Sequence, residues 1–270
     1  MMIDIHCHVI PGIDDGAQNM KTALNMLRAA AADGVAHMIA TPHYIRGSFD
    51  NDSSLVQSRY RTLVESAAEA GIDICIYPGS EVFINYAIPQ WIEDGVVCTL
   101  NHSSYVLLEL PITGQIEYAK DTIFELKLKG YTPIIAHPER NEELAVQPNR
   151  LHEFIERGAL AQVNAGSLTG LYGRAAKQAA LTFLRHGMVH FIASDAHDCR
   201  NRAFGLSESR GIVEREIGKD MARQLYETNG YDVLHDKRVV SVCHKRVNNS
   251  RSFIFPAVQR WTKLFKREKR

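Results

Sequence analysis

Two histidines one residue apart, His6 and His8 in the stretch MIDIHCH, open a series of ligand-type side chains scattered along 270 residues. Asp14 and Asp15 follow in IDDG, His43 in ATPHY, Glu81 in PGSEVF and Glu109 in YVLLEL. His137, Glu139 and Arg140 come from IIAHPER, and Asp195, His197, Arg200 and Arg202 from FIASDAHDCRNR. Imidazole nitrogen and carboxylate oxygen together suit Mn, Fe or Zn ions, and a carboxylate can bridge two of them. On a strand, H-x-H sends both imidazoles to one side and Cys7 to the other, and D-A-H at 195–197 repeats the spacing. A single histidine at a strand end is more often a structural residue, and Asp14 and Asp15 before Gly16 also suit a turn or a helix cap. Glu109 is harder to explain that way, because a carboxylate among Leu107, Leu108 and Leu110 is costly to bury unpaired. The joint occurrence of these residues argues for a metal site.

Positioning them requires elements that bring distant segments together. Short β-branched or apolar runs alternate with longer helical patterns, which is the mark of βα units and a parallel sheet. Strands are expected at Ile3 to Val9, Met38 to Thr41, Ile72 to Pro78, Tyr105 to Leu110, Thr132 to Ala136, Ala161 to Asn164 and Val189 to Ala193. Helical spacing of Met20, Leu24, Leu27 and Ala31 stops at Gly34, and that of Val56, Tyr60, Leu63, Val64 and Ala67 stops at Gly71. Ala119, Ile123 and Leu126 repeat the design before Gly130. Further helices are expected at Arg150 to Arg157, Arg174 to His186, Ser207 to Glu216 and Asp220 to Thr228. Seven parallel strands closed into a barrel would place their C-terminal ends at one mouth, where such folds keep their active sites. Six of the seven strand ends carry His, Asp or Glu, so the candidate ligands gather there.

Composition narrows the alternatives. With 45% hydrophobic and 23% charged residues the chain is an ordinary globular one, and its length suits a single large domain. Its 31 basic and 31 acidic residues are unevenly placed: residues 237–270 hold eleven Lys or Arg and one acid, Glu268. The domain expectation is therefore an acidic body over 1–236 and a basic tail over 237–270. Five widely spaced cysteines without a C-x-x-C pair fit neither a disulfide framework nor a cysteine zinc site. None has Arg six positions later, which excludes the C-x5-R signature of cysteine-dependent tyrosine phosphatases. There is no G-x-x-x-x-G-K-[ST] or G-x-G-x-x-G phosphate loop. The absence of a basic leader or a membrane-length apolar run makes the cytoplasm the expected compartment.

The H-x-H start, the lone histidine on the second strand, E-V after the third, the glutamate on the fourth, HPER on the fifth and SDAH on the seventh resemble the polymerase and histidinol phosphatase (PHP) superfamily. Within it, MIDIHCHVIPGIDDG, IAHPERN and ASDAH resemble the manganese-dependent protein-tyrosine phosphatases encoded with bacterial capsule and exopolysaccharide machinery. The likeness covers residues 2 to 235. It implies a distorted seven-stranded, TIM-like (β/α)7 barrel of the PHP type holding three divalent ions, Mn foremost, with Fe, Zn or Mg as alternatives. By position, His6, His8, Glu81 and Asp195 would hold the first ion, and Glu81 would bridge to a second held by Glu109 and His137. His43, His197 and one aspartate of the DDG loop would hold the third, with Asp15 preferred and Asp14 the fallback. Arg140 and Arg202 match the positions that grip substrate phosphate.

The chemistry this implies needs no cysteine nucleophile, because clustered cations acidify bound water to hydroxide and offset the charge of the phosphate it attacks. The planar fork of arginine suits the remaining oxygens, and a phenolate, whose conjugate acid has a pKa of about 10, leaves far more readily than an alkoxide. Asp198 and Glu139 are candidates to protonate it, with a supporting role for Glu139 as the alternative. The expected partner is a phosphotyrosine-bearing bacterial kinase tail that controls capsule or exopolysaccharide synthesis. A small-molecule phosphatase of the histidinol phosphate type, or another PHP phosphoesterase, is the rival reading, and a non-catalytic module a second. The tail segment FPAVQRWTKLFKREKR has the pattern of an interfacial helix able to lie on an anionic membrane face, of a solvated terminus, or of a helix docked through Trp261. Nucleic-acid binding is not expected from one short basic patch. Oligomeric state is left open.

Overall fold

The computed structural model describes residues 1–114, 116–240 and 244–248. Among the described residues, nine parallel strand segments occupy seven stations. β1 (Met2–Cys7), β2 (Val35–Ala40) and β4 (Cys75–Pro78) form one sheet, ordered β1-β2-β4. β3 (His43–Tyr44), β5 (Glu81–Phe83), β6 (Tyr105–Glu109), β7 (Thr132–Ala136), β8 (Leu160–Asn164) and β9 (Phe191–Ala193) form the other, in that order. β3 continues the line of β2 and β5 that of β4, so a second segment lies beyond each of the expected strands Met38 to Thr41 and Ile72 to Pro78, the latter forming only from Cys75. Proline and glycine explain the breaks. Pro42 has no N–H for a ladder, while a Cβ on Gly79 would stand 2.9 Å from Ile39 Cγ2 and 3.0 Å from Leu100 Cδ2, leaving no room for a side chain.

The two sheets join into a distorted barrel at both seams. Glu81 N–H donates to the Pro42 carbonyl at 3.0 Å, across the strand breaks. At the other seam the chain's early and late segments meet: Asp195 N–H donates to His6 O and His8 N–H to Ala196 O, both at 2.9 Å. The buried Asp4 carboxylate fastens this seam by accepting Ser194 Oγ–H at 2.6 Å and Ser194 N–H at 3.0 Å. Ile3, Ile5, Ile39, Leu107, Ile134 and Phe191 fill the space the strands enclose. A larger apolar layer lies between the strands and the outer helices.

Those helices follow the apolar spacing. α1 (Met20–Ala32) is capped by Asn19, which accepts Thr22 N–H, and α2 (Ser53–Glu69) by Asp52, which accepts Leu55 N–H. Each cap satisfies an orphan amide and is worth about 1 kcal/mol. α1 buries Ala23, Met26, Leu27 and Ala30, while α2 buries Val56, Leu63 and Ala67. α3 (Ile88–Glu93), α4 (Ala119–Leu128), α5 (Glu142–Val146), α6 (Pro148–Glu156), α7 (Ala165–Thr169), α8 (Gly173–Arg185) and α9 (Leu206–Ile217) complete the outer layer. The run expected over 220–228 is instead a short helix, Lys219–Arg223, then a π-helical turn, Gln224–Thr228, and a last helix, Asn229–Leu234.

Past residue 236 the described chain stays on the body. Tyr105 Oη donates to Lys237 O at 2.6 Å, and Asn149 exchanges two hydrogen bonds with the Val247 backbone. The candidate tail helix of FPAVQRWTKLFKREKR lies outside the described residues. No helix among the described residues is long and apolar enough to cross a membrane.

Candidate metal centre

β1 ends in Cys7, buried in the outer apolar layer, while His6 and His8 turn the other way with their Nε2 atoms 3.1 Å apart. Both imidazoles are fully buried, so each must find polar partners. Glu81, at the start of β5 and equally buried, stands at the centre. Its Oε2 lies 3.2 Å from His6 Nε2, 3.3 Å from His8 Nε2 and 3.0 Å from His43 Nδ1, and its Oε1 lies 3.0 Å from His137 Nε2. Glu109, at the end of β6, approaches His43 Nδ1 at 3.6 Å and His137 Nε2 at 3.9 Å. Asp195 Oδ1 lies 3.5 Å from each of His6, His8 and His197. Asp15 Oδ1 is 3.2 Å from His197 Nε2 and 3.5 Å from His43 Nε2.

The nine side chains expected as ligands thus converge. The donor atoms of seven of them fall into overlapping sets: His8, Asp15, His43 and His197; His6, His8 and Glu81; and His43, Glu81 and Glu109. His137 and Asp195 stand outside these sets and join the cluster through Glu81 Oε1 and through His6, His8 and His197. Donors about 2.1 Å from a shared ion stand about 3.0–3.4 Å apart along the edges of its coordination shell, and most of the separations above lie in or near that range. Glu81 Oε2, His43 Nδ1 and His197 Nε2 are buried and have no well-formed hydrogen bond among the described residues. Desolvated polar atoms without partners are expensive, and divalent ions would satisfy all three. The donor set fits such ions.

The two aspartates of the DDG loop separate in their surroundings. Gly16 lets the loop press onto β1, since a Cβ there would stand 2.1 Å from His8 O. Asp14 is buried beneath, with Oδ2 accepting from His8 Nδ1 at 2.8 Å and from His43 N–H at 3.1 Å, and Oδ1 accepting from Gly16 N–H. Its oxygens are committed to holding His8 by the ring nitrogen that faces away from Glu81. Asp15, with a half-exposed side chain, keeps its carboxylate toward His43 and His197.

Both arginines meet on Asp195. Its Oδ2 accepts Arg140 Nη1–H at 2.8 Å, Arg202 Nη2–H at 2.9 Å and Asn164 Nδ2–H at 2.7 Å. One oxygen therefore organises the cations while the other faces the histidines. Asp195 adopts φ 52° and His137 φ 30°, left-handed conformations that cost non-glycine residues energy and turn both side chains off their strands into the mouth. The Arg140 guanidinium lies over the Tyr172 ring at 4.6 Å.

The protonation pattern reflects the crowding. Burial would raise Glu81, but the imidazoles of His6 and His43 outweigh it and hold the carboxyl well below its ordinary range. For Asp195 burial is likewise overcome, here by Arg202 and then His6. Burial, reinforced by the Glu81 charge, lifts Glu109 to about 7, and burial with His8 nearby depresses His197 to about 4. Protons share out a surplus of ligands that bound metal would displace.

Several contributors escape the search for ligand types. Gln162 Oε1 receives His6 Nδ1 at 2.9 Å and its Nε2–H donates to Asn164 Oδ1 at 2.8 Å, so β8 carries a chain of amides from His6 to Asp195. The signal was present as Q-x-N, the same period-two spacing as H-x-H. Asn51 Nδ2–H ties the Ile13 and His43 carbonyls at 2.8 and 2.9 Å. Glu139 is buried behind β8, accepting Asn164 N–H and Ser167 Oγ–H, with burial lifting its carboxyl to about 7. Asp198 Oδ1 accepts the N–H groups of Arg200, Asn201 and Arg202, bonds that outweigh burial and hold it below the ordinary carboxylate range. It shapes the loop that returns Arg202. Arg200 itself is exposed.

Fold and site define a (β/α)-barrel protein with a histidine and carboxylate centre suited to divalent cations. A family model for capsular polysaccharide synthesis, CpsB/CapC, matches residues 2–235. The tyrosine-protein phosphatase YwqE of Bacillus subtilis is 36% identical over 226 residues, spanning 84% of this chain and 89% of the relative. The tyrosine-protein phosphatase CpsB of Streptococcus pneumoniae is 26% identical, spanning 88% of this chain and all of the relative. A crystal structure from work on these two proteins, described there as unique metal-dependent tyrosine phosphatases, superposes with a TM-score of 0.88 at 34% identity, covering 92% of this chain and 100% of that one. A phosphotriesterase from Mycobacterium tuberculosis shares the fold alone, with a TM-score of 0.55 at 10% identity over 87% of this chain and 94% of that one. The chain belongs to the capsular polysaccharide synthesis CpsB/CapC family.

Proposed function

We propose that this chain is a metal-dependent protein-tyrosine phosphatase acting on a phosphotyrosine-bearing kinase of capsule or exopolysaccharide synthesis, in the cytoplasm or at the inner membrane face. The observation that carries the reading is the meeting of His6, His8, His43, His137 and His197 with Asp15, Glu81, Glu109 and Asp195, beside two arginines. Three divalent ions, Mn foremost, are the proposed cofactors. His6, His8, Glu81 and Asp195 would hold one, Glu81, Glu109 and His137 a second, and His43, His197 and Asp15 a third. When bound, such ions supply a water acidified toward neutral pH and positive charge against phosphate.

The chain's own groups do the rest. Arg140 and Arg202, fixed on Asp195 Oδ2, present planar donors for phosphate oxygens that no ion reaches. Asp14 and Gln162 hold the Nδ1 sides of His8 and His6, so that each ring presents Nε2 toward Glu81. Cys7 is buried, and burial pushes its thiol up, away from nucleophile chemistry. A phenolate needs less help in leaving than an alkoxide, which fits a site whose nearby carboxyls, Asp198 and Glu139, are bound to the protein backbone.

The test is hydrolysis of a phosphotyrosine peptide, histidinol phosphate and single-stranded DNA side by side, with Mn, after chelation, and with His6→Ala and Asp195→Ala. Preference for the peptide, abolished by chelation and by either substitution, is expected. Activity that survived chelation would sink the metal reading, and preference for histidinol phosphate would move the assignment to the small-molecule rival.

A further inference from the structure

At the outer edge of the centre stands a tight hairpin, residues 45–49. Ile45 and Phe49 exchange backbone bonds, Ile45 N–H to Phe49 O at 2.9 Å and Phe49 N–H to Ile45 O at 2.8 Å. Gly47 N–H donates to Asp50 Oδ1 at 2.9 Å. Asn51 binds the segment down to the carbonyls of His43 and Ile13, so the hairpin is anchored to both loops that bear candidate ligands. Its two large side chains diverge. Arg46 is drawn to the flank, over the Trp91 ring at 5.6 Å, while the Phe49 ring stacks on the His43 imidazole at 5.8 Å and 15° between planes.

The rings form an ordered series from inside to outside. His197 stacks on His8 at 3.9 Å, His8 meets His43 at 4.5 Å, and His43 meets Phe49. His8 is fully buried and Phe49 only partly so, which makes Phe49 the rim of the series. Among the described residues it packs neither in the apolar core nor against it. A partly exposed phenyl ring, stacked on a candidate ligand and outside the apolar core, stands where an incoming aromatic ring could meet it.

We infer that Phe49 is the specificity residue that receives the aryl ring of the phosphorylated side chain, so that the site selects aryl over alkyl phosphate esters by a ring contact as well as by leaving-group chemistry. This rests on the phosphatase reading above. An aromatic pair contributes about 0.5–1.5 kcal/mol beyond its area, equivalent to about two- to ten-fold in affinity.

The experiment compares Phe49→Ala, Phe49→Tyr and the unaltered protein, each with its bound metal measured. Calorimetry reads affinity for a non-hydrolysable phosphonomethyl-phenylalanine peptide and for an alkylphosphonate peptide of the same sequence. Steady-state kinetics reads KM and kcat on phosphotyrosine and phosphoserine peptides. Phe49→Ala is expected to lower the aryl-to-alkyl affinity ratio about three- to ten-fold and to raise KM for phosphotyrosine more than it lowers kcat, with Phe49→Tyr restoring both. An unchanged ratio, or an equal loss for both ligands with loss of bound metal, would overturn the inference by reducing Phe49 to a support for His43. An unaltered protein inactive on every phosphotyrosine peptide would overturn the phosphatase reading itself, and this one with it.

Discussion

β1 and β8 are both buried along their whole length, and each brings two polar side chains, two residues apart, to the same mouth. β1 brings imidazoles and β8 brings amides. His6 and His8 point their Nε2 atoms at the Glu81 carboxylate, whereas Gln162 and Asn164 are saturated by each other, by His6 and by Asp195. One strand presents ring nitrogens to a carboxylate at a candidate metal centre, and the other holds His6 and Asp195 in place through hydrogen bonds. The same two-residue spacing, ending just past β1 and at the end of β8, thus yields a strand of candidate ligands or an orienting strand according to side-chain chemistry.

That division can be broken at its strongest point first. Glu81→Gln removes the charge shared by four imidazoles, and we expect a fall in kcat of at least about a thousand-fold with loss of bound metal measured by emission spectrometry. Near-normal metal content and rate would show that Glu81 is an ion-pair partner only. Arg140→Lys should keep metal but lower kcat about a hundred-fold, because an ammonium cannot reproduce the planar fork. A change confined to KM would assign Arg140 to binding of the free substrate. On the orienting strand, Gln162→Leu and Asn164→Ala should weaken metal binding or activity about ten- to a hundred-fold, less than any ligand substitution. Effects as large as that of Glu81→Gln would erase the distinction between the two strands.

The smallest effect concerns stability beside β8. Ala161 N–H donates to His190 Nδ1 at 3.1 Å, a bond only the neutral ring accepts. Burial first, and then the His244 charge, depress His190 to about 4 from an ordinary 6.5. The unfolded chain therefore takes up this proton at a higher pH than the folded one. The contribution is intact above pH 6.5 and is lost as pH falls from 6.5 toward 4, amounting to at most about 3 kcal/mol. Denaturant midpoints of the unaltered protein and His190→Gln, compared at pH 7.5 and 5, should converge at the lower pH. Parallel curves would show that His190 does not carry this proton linkage.

The seven stations were legible because apolar runs and helical spacing report burial directly. The segments beyond Pro42 and Gly79 were not, since two and three residues are too few to show a pattern and the crowding at Gly79 depends on how closely Ile39 and Leu100 approach. His6, His8, Glu81 and Asp195 stood out by type, whereas Gln162 and Asn164 did not, because amides carry no charge that makes burial expensive enough to notice. Asp14 and Asp15 were chemically equivalent as letters and became different only when Gly16 let their loop press on His8. The left-handed turns at His137 and Asp195 gave no sign either, because neither residue type announces positive φ as glycine does.

The seam fastened by Asp4 and Ser194 joins residues 190 positions apart. Each candidate ion shell that includes His6 or His8 together with Asp195 or His197 spans about the same interval, so a nascent or refolding chain has no cation affinity of this kind until those two segments have found each other. Metal uptake by those shells during refolding should therefore trail the recovery of helical signal, making their ions late clamps on a finished barrel rather than seeds for its assembly.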